Sequence, residues 1–233
     1  MAQHLPIVLV PGLGCSARLY APQINALWVH GTVLVADHRR DDAMADIAKR
    51  ILADAPPRFA LAGLSMGGYI AFAMLRQAPE RIARLALLDT SARPDRPEQI
   101  PDREKFIAMA QSGRFTEVTE TLIPRYIHPS RYGDEALKQI VRDMAADTGA
   151  EAYARQVRAI MGRPDSRPLL AAINCPTLVL VGEADAATPP ELSKEIAAGI
   201  SGSRLVIVPG SGHLSTIEKP DAVNAAFAEW LGA

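Results

Sequence analysis

A serine becomes a nucleophile only when a base can take its proton and an acid holds that base in place. Ser65 lies in Ala62-Gly63-Leu64-Ser65-Met66-Gly67-Gly68, between an apolar run that reads as a strand and a pattern that reads as a helix. On so sharp a turn the serine backbone is strained, at a cost of about 1–3 kcal/mol. The chain two residues to either side is crowded and admits only small residues, and Gly63 and Gly67 fill both places. The turn also sets the following N–H groups at a helix N-terminus, where negative charge is favoured. The Met66 N–H is therefore a candidate donor to an oxyanion. The alternative is that the glycines only allow strand-helix packing, with Ser65 as a plain N-cap. The strand–turn–helix context favours the nucleophile.

The candidate base is His213. It follows the apolar run Leu205-Val208 through Pro209-Gly210-Ser211-Gly212, a loop at a strand's C-terminal end, where catalytic groups of open α/β sheets collect. His4, His30, His38 and His128 read as surface or cap residues. Three carboxylates fall between the serine and the histidine as candidate acids. Asp185 and Glu183 share the loop after Thr177-Val181, and Asp89 ends an earlier strand. Asp185 ranks first; the other reading of Asp89 and Glu183 is loop capping. A second oxyanion donor should come from Val10-Pro11-Gly12-Leu13-Gly14-Cys15-Ser16. Its glycines let backbone approach the reacting centre and Pro11 has no N–H to give, so Leu13 is the choice. The alternative there is a tight turn into a helix near Ala17.

These residues must be positioned by a scaffold. Ile7-Val10, Thr32-Ala36, Phe59-Ala62, Leu85-Leu88, Thr177-Val181 and Leu205-Val208 read as short strands, apolar on both faces. Asp41-Ala53, Met66-Gln77, Pro190-Gly199 and Pro220-Leu231 read as helices, with Pro190 and Pro220 in first turns that tolerate proline. The alternation predicts an α/β fold with a doubly wound, mostly parallel sheet of about six strands. No strand is readable from about Ser91 to Ile173. Helical segments are expected there near Glu104-Gln111, Phe115-Leu122, Asp134-Ala145 and Ala150-Met161. The reading is a core over residues 1–91 and 174–233 with a helical lid over 92–173.

The 233 residues suffice for one well-buried domain. Hydrophobic residues make up 48% and charged residues 22%, an ordinary globular balance. A net charge of -1 leaves no excess of cations to neutralise phosphates, which argues against a nucleic-acid partner. Arg39 and Arg40 are followed by Asp41 and Asp42, which should compensate them locally. Cys15 and Cys175 form no metal-ligand pattern and read as two reduced thiols. No secretion signal and no apolar stretch of membrane-spanning length is readable, so a cytoplasmic protein with no membrane partner is expected.

Taken together these motifs resemble the α/β-hydrolase superfamily over nearly the whole chain. The resemblance runs from Pro11-Gly12-Leu13-Gly14, through Gly63-Leu64-Ser65-Met66-Gly67-Gly68, to Gly182-x-x-Asp185-x-x-x-Pro189 and Gly212-His213. It implies an acid on the loop that carries Asp185, and a helical lid. A less common variant places the acid on the strand before the lid, which keeps Asp89 in view. Two departures stand out: Pro11-Gly12 replaces the family's usual His-Gly pair, and its first two antiparallel strands have no room before Ile7. The resemblance is closest to small bacterial carboxylesterase-like members. It implies hydrolysis of a small ester-type substrate by Ser65, His213 and Asp185, with Leu13 and Met66 as oxyanion donors and with neither metal nor organic cofactor. The same triad also serves C–C hydrolysis, lyase and perhydrolase chemistry, and it occurs in slow-turnover ligand receptors.

Overall fold

The computed structural model describes residues 5–232. Six parallel strands form one sheet: β1 (Ile7–Val10), β2 (Val33–Val35), β3 (Phe59–Leu64), β4 (Ile82–Leu88), β5 (Thr177–Gly182) and β6 (Arg204–Val208), in the order β2-β1-β3-β4-β5-β6. The chain winds outward from β1 to β2, then returns to β3 and runs on to β6. The direction of winding thus reverses between β1 and β3, the crevice where open α/β sheets place their sites. There Val10 pairs with Gly63, so the loop after β1 and the turn at Ser65 emerge side by side.

Helices cover both faces of the sheet, so the inner strands β1, β3 and β5 are buried throughout, while the edge strands β2 and β6 are only partly buried. Val8, Val10, Leu61, Leu85, Leu87 and Val179 point into one core with α2 (Met44–Asp54), α3 (Met66–Gln77) and α8 (Pro190–Gly199). Ile7, Leu9, Ala62, Leu64, Leu88 and Leu180 point into the other with α1 (Ala21–Trp28) and α10 (Pro220–Leu231). Helix α2 shows how sequence spacing produces this. Met44, Ile47, Ala48, Ile51 and Leu52 recur at helical intervals, and all are buried.

Between β4 and β5 the regular elements are all helical: α4 (Ile100–Met109), α5 (Phe115–Tyr126), α6 (Glu135–Thr148) and α7 (Ala150–Met161), with short 3-10 turns. A wide turn, Ala110–Arg114, joins α4 to α5 and places Gly113 at φ 83°. Asp134 caps α6 by accepting from the Leu137 N–H at 2.9 Å. The apolar side chains here feed both sheet cores: Val118, Val157 and Ile160 join one, Ile123, Val141 and Met144 the other.

Several boundaries differ from the sequence reading. The helix expected from Asp41 opens at Met44, because Asp41 is held outside it by Arg50, 2.6 Å away. Arg39 and Arg40 accordingly pair with Asp37, at 2.8 and 3.2 Å, and not with the aspartates that follow them. Near Ala17 the chain first makes a 3-10 turn, Ala17–Tyr20, before α1. Helix α5 runs past Leu122 and through Pro124, which falls in the last turn and leaves the Glu120 carbonyl without its helical N–H donor, a loss of one bond close to the helix end. Among the described residues no helix is long and apolar enough to cross a membrane.

Candidate active site

The turn from β3 into α3 holds Ser65 at φ 56° and ψ −114°. A Cβ on Gly63 would collide with the Gly67 carbonyl, and one on Gly67 with the carbonyl of Val10. The two glycines are thus fixed by backbone packing on backbone, where β3, the start of α3 and the end of β1 meet. The Ser65 N–H donates to the Leu88 carbonyl at 2.9 Å, and the Thr90 hydroxyl donates to the Ser65 carbonyl at 2.7 Å. These bonds, anchored on the neighbouring strand, stabilise the strained conformation. Met66 opens α3, so its N–H belongs to the first-turn donors a helix leaves unsatisfied.

On the loops after β5 and β6 the structure brings Asp185 and His213 together. His213 Nδ1 lies 2.8 Å from Asp185 Oδ2, and both residues are buried. Asp185 Oδ1 accepts the N–H groups of Ala187 and Thr188, each at 2.8 Å, while its Oδ2 also accepts the Thr188 hydroxyl at 2.8 Å. The carboxylate is therefore fixed before it meets the histidine. With an Nδ1–H donated to Asp185, the imidazole keeps Nε2 as its basic atom. Burial opposes protonation of His213, but the charge and hydrogen bond of Asp185, aided by Asp89 and Glu218, outweigh it and raise the imidazole pKa above its ordinary value.

The other two acids do different work. Asp89 is fully buried at φ 45° and accepts from the Gly182 N–H at 2.8 Å and from the Ser215 hydroxyl, with no hydrogen bond to His213. Burial first, then the charge of Asp185, pushes its carboxyl well above the usual carboxylate range. Glu183 is exposed and accepts the Gly210 N–H at 3.1 Å, tying the two loops together.

Ser65, His213 and Leu13 line one cavity of about 320 Å3. The loop carrying Leu13 presses on the serine: a Cβ on Gly12 would lie 3.4 Å from Ser65 Cβ. Two side chains brace this loop. His38 Nε2 lies 2.9 Å from the Gly12 carbonyl, and the Gly14 N–H donates to Gln156 Oε1 at 3.0 Å. His38, expected at the surface or as a cap, is buried, and that burial lowers its pKa. His128 sits after α5 with Nδ1 2.7 Å from the Ser130 hydroxyl, and His4 lies outside the described residues. Cys15 and Cys175 are not joined in a disulfide, and burial pushes the Cys15 thiol up to about 12. No group of three or more metal-ligating side chains occurs among the described residues.

Three residues that hold the histidine escaped sequence reasoning. The Tyr126 carbonyl accepts the His213 and Leu214 N–H groups at 2.8 and 3.2 Å, and its ring stacks on the imidazole at 5.5 Å. Glu218 is buried and bridges the Gly212 N–H, at 2.9 Å, to the His128 N–H, at 2.7 Å. Thr188 had a readable signal, since a loop aspartate commonly binds backbone two or three residues on.

The model of the alpha/beta hydrolase family matches residues 7–226, and the chain belongs to that family. Among solved structures it is similar to a thermophilic esterase from Thermogutta terrifontis, with 33% identity, 97% of this chain and 89% of that one covered, and a TM-score of 0.89. It is also similar to the enol-lactonase from Burkholderia xenovorans LB400, with 29% identity, coverage of 98% and 92%, and a TM-score of 0.88. Among curated proteins it is 25% identical to the pimeloyl-(acyl-carrier protein) methyl ester esterase of a Neisseria meningitidis serogroup C strain, over 97% of this chain and 93% of the relative.

Proposed function

We propose that this α/β hydrolase is a serine esterase that cleaves small ester-type substrates through an acyl-enzyme on Ser65. The observation that carries the reading is that His213, paired with Asp185 at 2.8 Å, lines the same cavity as Ser65. Ser65 Oγ attacks the carbonyl carbon as His213 Nε2 takes its proton, and Asp185 fixes the tautomer and stabilises the imidazolium. The N–H groups of Leu13 and Met66 hold the oxyanion, each worth about 10²–10³ in rate. His213 then protonates the departing alcohol. Water, deprotonated in turn by His213, attacks the acyl carbon and frees the acid and Ser65. Every step uses the chain's own residues. The helices of the 92–173 segment serve as a lid. The names of the three relatives, two esterases and an enol-lactonase, support ester-type carbonyl chemistry.

The substrate is small, with a short acyl chain. The cavity that Ser65 and His213 line holds about 320 Å3, at the lower end of small-ligand pockets, and the apolar hollow beside the oxyanion loop, lined by Leu13, Phe115, Leu122, Tyr126 and Tyr153, adds only about 20 Å3, space for about one water. Purified protein with p-nitrophenyl acetate, butyrate or palmitate in large excess tests this. The expected result is sustained turnover at about 1–10³ s⁻¹ on a fitting short-chain ester, with palmitate slower. A burst of about one equivalent and then near-zero rate across the panel would overturn the esterase reading and favour a slow receptor.

The base must be neutral to act, and His213 has a raised pKa. The kcat/KM should therefore rise with pH through a midpoint above the unperturbed histidine value of about 6.5. A profile flat from pH 5 to 9 would count against His213 as the base.

A further inference from the structure

The cavity at Ser65 shares Tyr69, Arg96, Arg103, Arg125 and Thr188 with a second hollow of about 400 Å3. The second hollow is arginine-rich, and its arginines differ in what occupies them. Arg93 is paired with Glu195 at 2.9 Å. Arg103 and Arg163 share one carboxylate, Asp95, at 3.1 and 2.7 Å, and the Asp95 side chain is 1% exposed. Arg163 also lies over the Tyr69 ring, 4.2 Å from its centroid. Two guanidiniums on one buried carboxylate leave a fixed positive charge behind the wall common to both hollows. Arg96 and Arg125 stand in that wall, and among the described residues neither guanidinium has an ion-pair or hydrogen-bond partner. Apart from Asp95, the carboxylates that line the two hollows are Glu98, Asp102 and Glu191. All three are exposed and none is paired with Arg96 or Arg125.

An unpaired guanidinium beside a half-enclosed cavity is a forked donor suited to two parallel bonds with a carboxylate. The Arg103–Asp95–Arg163 charge, mostly withdrawn from solvent, adds a positive field to the wall in which Arg96 and Arg125 stand. We infer that Arg96 and Arg125 bind a free carboxylate carried by the substrate, so that the preferred substrate is an ester or lactone bearing an anionic group. This rests on the Ser65 reading for the ester end. The two arginines would act as specificity determinants, holding the substrate by its carboxylate while the carbonyl lies at Ser65.

Two pairs of esters test the inference and locate the carboxylate. Monomethyl glutarate against dimethyl glutarate places the charge on the acyl side; 4-acetoxybutyrate against its methyl ester places it on the alcohol side. The expected result is a kcat/KM preference for the anionic member of at least one pair, carried mainly by KM and weakened by salt. Arg96→Gln and Arg125→Gln should each reduce that preference about twofold to fivefold, the worth of a solvent-exposed charge pair, and the double variant more. Both residues are exposed, so the variants should melt near wild type. Calorimetric titration of glutarate and 4-hydroxybutyrate into the Ser65→Ala protein reads the carboxylate site without catalysis. Binding of either that weakens in both arginine variants supports the site even if no ester turns over. Preference for the neutral ester in both pairs, or an anionic preference untouched by both substitutions, overturns it and leaves the esterase reading standing.

Discussion

Replacing Asp185 with asparagine should lower kcat by about 10⁴, as the equivalent change does in serine proteases that use this triad, while the protein stays folded. The structure gives the reason. The Ala187 and Thr188 N–H groups bind Asp185 Oδ1, and an asparagine carbonyl can keep both bonds, so the loop holds its shape. The amide nitrogen would then replace Oδ2, the atom that faces His213 Nδ1 at 2.8 Å. Two donors cannot share that gap. The imidazole must turn to the tautomer that protonates Nε2, and the base toward Ser65 is gone. Asp89→Asn should cost less than about tenfold. Its carboxyl is pushed far up by burial and by the charge of Asp185, makes no hydrogen bond to His213, and is closely matched in shape by an amide. Glu183→Gln keeps an acceptor for the Gly210 N–H at an exposed position and should be near neutral. The check is kcat for all three variants on one short-chain ester, with a thermal melt for each. If Asp89→Asn proves the crippling change, the acid lies at the end of β4, just past Leu88, and the assignment of Asp185 fails.

The contrast among these carboxylates shows what a sequence can carry. The turn at Ser65 is legible because its constraint is local. Gly63 and Gly67 are demanded by contacts within a few residues or with the adjacent strand, and no larger residue satisfies them. The inner strands β1, β3 and β5 are legible because burial on both faces makes each a nearly unbroken apolar run, and the partly buried edge strands β2 and β6 still keep short apolar runs. Asp89, Glu183 and Asp185, in contrast, all follow the last residues of strands, and spacing alone ranks them without separating them. What separates them is which one reaches His213, and that depends on how the loops after β5 and β6 lean together. Tyr126 and Glu218 were beyond reach for the same reason. Each touches the His213 loop from another element, α5 for one and the short helix α9 (Ser215–Glu218) for the other. His38 looked like a surface residue because nothing near it in sequence announces the Gly12 carbonyl it meets. The arginine-lined hollow gathers Arg96, Arg103, Arg125 and Arg163 from separate helices and connections of one segment. In the sequence these residues read only as scattered charge.

Ser65→Ala should abolish labelling by a fluorophosphonate probe and lower kcat by about 10⁶, the loss seen when a triad serine is removed from a related protease chemistry. The side-chain oxygen proposed as the nucleophile is the only heavy atom taken away. Among the described residues the Ser65 hydroxyl has no hydrogen-bond partner, so no buried donor or acceptor is orphaned by its loss. The bonds that hold the turn are made by the backbone of Ser65, to Leu88 and Thr90, and survive in alanine. The positive φ of 56° is borne by a Cβ in both residues, so the strain of about 1–3 kcal/mol changes little. A melting temperature within a few degrees of wild type is therefore expected alongside the kinetic collapse. Intact mass spectrometry after labelling reads the first result, initial rates on a short-chain ester the second, and circular dichroism the third. Persistent labelling with undiminished turnover in a folded Ser65→Ala protein would place the nucleophile elsewhere. Loss of both in a folded protein leaves Ser65 as the atom that the strained turn, the unsatisfied first-turn N–H of Met66 and the His213–Asp185 pair are arranged around.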